Sequence, residues 1–169
     1  MDDLTTRLNK ASDKINEASP SQSKQPEHTT NEENIVAKFG KFCVANGMVV
    51  SFNGKQYLRA EAWQYLLSLL GIYPSCECLT LYEKEENSDK QNFVGVKVIV
   101  TLIRSKDLAE ISKATMTARC EEPFLKDKDD FAVYGMAQTR AISRATRNLY
   151  GWIAVAAGYE ATPYDEMPK

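Results

Sequence analysis

The sequence predicts an α+β domain: a β-hairpin and an antiparallel β-meander packed against a long basic helix, a β-β-β-α core behind a disordered N-terminal leader. Three observations predict it. Asn53-Gly54 stands between two extended runs, 48–52 and 55–59, the strongest short-range signal for a hairpin. Residues 93–103 are rich in Val and Ile, with Val94, Val96, Val98 and Val100 on one side of an alternating pattern. Arg140, Arg144 and Arg147 recur at i, i+4 and i+7, the spacing of one helix face.

The elements follow in order. Residues 1–34 are polar, with no aromatic side chain and only scattered Leu4, Leu8 and Ile15, and are expected to be a disordered leader. The ordered domain is expected over 35–158. Ile35, Phe39, Phe42 and Cys43 lie at helical spacing, and Asn46-Gly47 supplies a stop. After the hairpin, Trp63, Leu66, Leu67 and Leu70 mark one face of a helix from Ala60, ended by Gly71. Strands are expected over 76–82, 93–103 and 111–120, joined by polar turns, which makes the meander. Asp129 or Asp130 is placed to cap a helix over about 131–149, with Gly151 interrupting it. Residues 159–169 contain Pro163 and Pro168 and are expected to run irregularly.

Composition narrows the function classes. With 169 residues, 43% hydrophobic and 26% charged, the chain can bury a real core in one domain. It has no run of eighteen apolar residues and a polar Met1-Asp2-Asp3 start, so a cytoplasmic protein without a membrane partner is expected. His28 is the single histidine, which argues against Cys-His and Ser-His-Asp catalysis. Cys76 and Cys78 form a C-x-C pair on one side of a strand, not the C-x₂₋₄-C spacing of zinc sites, so structural thiols and no metal are expected. No phosphate-binding Gly-rich loop with Lys-Ser or Lys-Thr occurs, and no cofactor is expected.

The net charge of −2 is unevenly spread: residues 1–34 carry −3, leaving the remainder at about +1. Local patches therefore decide the electrostatics. Ile142, Ala145 and Leu149 are expected opposite the arginines, giving the helix an apolar face and a single-sign ridge. Like charges at that spacing repel, so the ridge needs either anionic neighbours within the protein or an anionic ligand. A phosphate backbone meets the second condition, because guanidinium binds it bidentately. In the hairpin, Lys55, Tyr57 and Arg59 share one face of a strand, interleaving cations with an aromatic as single-stranded nucleic acid requires, although Tyr57 also suits a core position.

Two segments carry a resemblance. "GKQYLRAEAWQYLLSLLGI" (54–72) and "AQTRAISRATRNLYG" (137–151), linked by "FVGVKVIVTLI" (93–103), resemble the single-strand annealing superfamily of phage recombination proteins and the eukaryotic mediator often called Rad fifty-two. The resemblance spans roughly 35–158, and "GYEATPYDEM" (158–167) is similar to the ending of small phage or prophage proteins of this type. It implies a non-catalytic protein that binds and anneals single-stranded DNA, or RNA, in recombination and repair, and that assembles into homo-oligomeric rings or helical arrays. By the same resemblance Arg144 and Arg147 contact phosphates. At Arg140 the family pattern is acidic, so that residue rests on helical geometry alone, and Ser143 stands where the family is basic.

Two other classes stay open. One is a regulatory or protein-interaction module on the same fold, which Ser143 and the acidic leader favour. The other, the less favoured, is a metal-dependent nuclease using Glu122, Asp129 and Asp130, for which a charged turn is the ordinary explanation.

Overall fold

The structure, a computed structural model, describes residues 28–86 and 89–167. The described residues from Asn34 to Met167 belong to one compact unit. Its element order is α1 (His28–Ala45), β1 (Val49–Phe52), β2 (Lys55–Leu58), α2 (Ala60–Leu69), β3 (Ile72–Lys84), β4 (Gln91–Arg104), β5 (Ala109–Arg119), α3 (Asp130–Ala156) and a 3-10 turn at Tyr164–Glu166. This is the expected α+β class. Helix α1 begins at His28, inside the segment expected to be a leader; the rest of that leader, 1–27, lies outside the described residues.

The hairpin forms where Asn-Gly placed it. Asn53 and Gly54 have φ of 50° and 75°, the paired left-handed conformation of a type I′ turn, and Val49 pairs with Leu58 down to Phe52 with Lys55. Helix α2 stops where Gly71 takes φ 65°. The sheet order is β3-β4-β5, antiparallel throughout, with β4 central. Strand β3 is longer than its alternating segment indicates, because it runs through Pro74. An edge strand tolerates that proline, because the missing N–H costs no ladder hydrogen bond where the position faces away from the sheet.

Two cores form, and α3 joins them. Val96, Val98, Val100 and Leu102 of β4 pack with Val133, Ala137, Ala141 and Ala145 of α3. Phe39 and Cys43 of α1, Leu58 of β2, and Ala62, Trp63 and Leu66 of α2 pack with Ile153 and Ala154 near the other end of α3. Trp63 is fully buried, and truncating such a side chain to Ala typically costs about 3–5 kcal/mol.

Helix α3 runs unbroken through Gly151 to Ala156, which corrects the expected interruption. A mid-helix glycine costs about 1 kcal/mol against Ala, and packing on both cores outweighs it. A Cβ there would stand 3.4 Å from the Arg147 stem and 3.9 Å from Ala161, ordinary contact distances, so the position does not require glycine for space. Asp129 occupies the expected N-cap position, but its side chain makes no capping hydrogen bond.

Candidate nucleic-acid interface

The candidate interface is built on α3. Ile142 and Ala145 are buried as expected, but so are Ser143 and Thr146, while Leu149 is 37% exposed. The single apolar stripe expected opposite the arginines is thus corrected. The helix is covered by the sheet along one side and by α1 and α2 near its end, so burial wraps around it. Thr146 is accommodated because its hydroxyl donates to the Ile142 carbonyl at 2.8 Å. Ser143, where the resembled family is basic, lies wholly inside and adds nothing to the surface row.

Arg140, Arg144 and Arg147 do lie in a row, directed toward β5 and the segments that follow β5 and α3. Arg140 Nη1 donates to Glu122 Oε2 at 2.7 Å, and Glu122 Oε1 accepts the Arg119 backbone N–H at 2.9 Å. Arg147 Nη1 donates to Glu166 Oε2 at 2.9 Å, while Glu166 Oε1 is buried without a hydrogen-bond partner. Arg144 differs. Its Nη1 lies 2.8 Å from Met116 Sδ, and a thioether is only a weak acceptor. Among the described residues no carboxylate pairs with it. Internal carboxylates therefore meet the two outer guanidinium groups, while the middle one has only the thioether contact among the described residues.

The hairpin residues are not presented together. Lys55 is exposed and pairs with Glu160 at 3.1 Å, and that carboxylate holds its ammonium pKa above the ordinary value, through the hydrogen bond first and the charge second. Tyr57 is 6% exposed and meets Phe52 edge-on at 6.5 Å, so its ring is a core group rather than an open stacking platform. Arg59 follows the end of β2 as the N-cap residue of α2 and is exposed. The shared face expected of Lys55, Tyr57 and Arg59 is lost because β2 ends at Leu58, and the second core claims Leu58.

Glu122, Asp129 and Asp130, the carboxylates of the alternative metal reading, form no ligand group among the described residues. Glu122 is held by Arg140 and by backbone, and Asp129 is the α3 N-cap. Among the described residues, no group of three or more His, Cys, Asp or Glu side chains stands where it could hold a metal ion. All four cysteines are free thiols; Cys76 is exposed and Cys78 half-buried. Among the described residues no helix is long and apolar enough to cross a membrane.

The contacts of the candidate residues that sequence reading missed are Met116, Glu160 and Glu166. Each lies at least 19 residues from its arginine, or far from Lys55, in the chain, and no spacing rule reaches that far. The comparisons with protein-family models, with curated proteins and with solved structures find no match to this chain.

Proposed function

We propose that this chain binds single-stranded nucleic acid along the arginine row of α3 and promotes annealing without catalysis. The observation that supports the reading most is Arg144. It is a guanidinium with no carboxylate partner among the described residues, flanked at i−4 and i+3 by two further arginines. An unpaired, half-buried cation in such a row is costly to hold unless a mobile anion completes it. A phosphate backbone is such an anion, and gripping it leaves base edges free to pair with a second strand. The resemblance to the annealing superfamily points the same way and adds assembly of several copies. The unpaired outer edges of β3 and β5 offer backbone groups for that assembly.

One observation favours a second reading, a protein-interaction module. Arg140 and Arg147 each already have a carboxylate, so part of the row is neutral in the free protein. Fluorescence anisotropy with labelled single-stranded DNA and RNA separates the two. Under the nucleic-acid reading the wild-type chain binds at low salt, and Arg144→Ala weakens binding about tenfold, the worth of one charge-assisted contact. Equal behaviour of wild type and variant would favour the interaction module.

A further inference from the structure

After α3, Gly158 turns the chain at φ +91°. Tyr159 is buried, and its hydroxyl donates to the Gly40 carbonyl at 3.2 Å, fixing the start of the tail. Glu160 then joins the hairpin, with its N–H donating to Gln56 O at 2.8 Å and its carboxylate on Lys55. Ala161 passes Gly151, and the 3-10 turn at Tyr164–Glu166 brings the Glu166 carboxylate onto Arg147. One short segment thus neutralises a cation in each of the two candidate regions, Lys55 of the hairpin and Arg147 of the row.

The two attachments differ in quality. The Glu160 end has a backbone hydrogen bond, a solvated ion pair and a buried tyrosine beside it. The Glu166 end is 12% exposed at its side chain, and among the described residues only one of its two carboxylate oxygens has a partner. Burying the second oxygen unpaired carries a desolvation cost that the single bond to Arg147 offsets only in part. A phosphodiester offers two oxygens to the same guanidinium and keeps its outer side in water.

We propose that residues 160–167 form a displaceable acidic latch, which covers Arg147 in the free protein and gives it up to a phosphate backbone. This rests on the nucleic-acid reading above. Glu166 is the releasable half of the latch and Glu160 the hinge-side half. A latch that outweighs its open form by about ten to one lowers apparent affinity about tenfold, so removing it restores that factor.

The test measures binding of a labelled oligothymidylate to the full chain, to Glu166→Gln and to Glu110→Gln. The last removes an equal charge from an exposed position with no arginine ion pair among the described residues. Glu166→Gln is expected to bind about tenfold more tightly, Glu110→Gln to change less than about twofold, and Glu166→Gln to lose its advantage in an Arg147→Ala background. Amides of 164–167 are expected to exchange with solvent faster when oligothymidylate is added to the wild-type chain. If wild type and Glu166→Gln bind equally well, or the tail amides stay protected in the complex, the latch is wrong and the nucleic-acid reading stands. If neither chain binds at low salt, the nucleic-acid reading fails and the latch fails with it.

Discussion

At the scale of single residues, burial and pairing decide which groups are chemically available. Cys43 is fully buried between α1 and the second core, and burial pushes its thiol pKa up from 9.0 to about 11. Between those values the folded chain keeps a proton that the unfolded chain has released, so stability falls as pH rises through that window. Cys43→Ala is expected to flatten this fall by at most about 3 kcal/mol, measured as urea midpoints at about pH 8 and about pH 11. Tyr150 and Tyr159, whose burial also raises their pKa values, leave a residual slope above about pH 10. At Arg144 the relevant contrast is charge against geometry. Arg144→Lys is expected to recover part of the oligonucleotide affinity that Arg144→Ala loses, because an ammonium restores the charge but not the two-pronged contact. Full recovery by Lys would show that charge alone matters there.

At the scale of elements, one glycine marks a close approach that constrains the sheet. A Cβ at Gly95 of β4 would stand 2.4 Å from the Ala118 carbonyl oxygen of β5. The obstacle is backbone, which cannot rotate aside, so Gly95→Ala is expected to lower the free energy of unfolding by about 1–3 kcal/mol in urea titration. An unchanged midpoint would mean that β4 and β5 are looser than this geometry. Most elements were legible in the residues themselves. Asn53-Gly54 supplied both left-handed positions of the hairpin turn, and alternation along 93–103 identified the central strand. The helix of the arginine row was legible from its spacing, but its length was not, because two cores hold Gly151 in a helix that propensity alone would end. Pro74 concealed the start of β3 for a related reason: a strand's place at the sheet edge is not written in its local sequence.

At the scale of the whole molecule, α3 is the beam that links both cores and carries the candidate site along its side. Its row of cations was visible in the sequence, because i, i+4 and i+7 positions must align on a helix. What could not be read was their neutralisation: Glu122 and Glu166 reach Arg140 and Arg147 only after the chain has folded back upon itself. Tyr57 was open to two readings in the sequence, and its burial, with an edge-on contact to Phe52, makes it a core residue. The central claim is that Arg144, which has no carboxylate partner among the described residues, pairs with a nucleic-acid phosphate. The most direct test titrates salt against the binding of a labelled single-stranded oligonucleotide, for the wild-type chain and Arg144→Ala. The account predicts binding that weakens as salt rises, with a log–log slope shallower by about 0.7 in the variant, one released counterion fewer on a single strand. Identical slopes, or no binding by the folded wild-type chain at low salt, would contradict it.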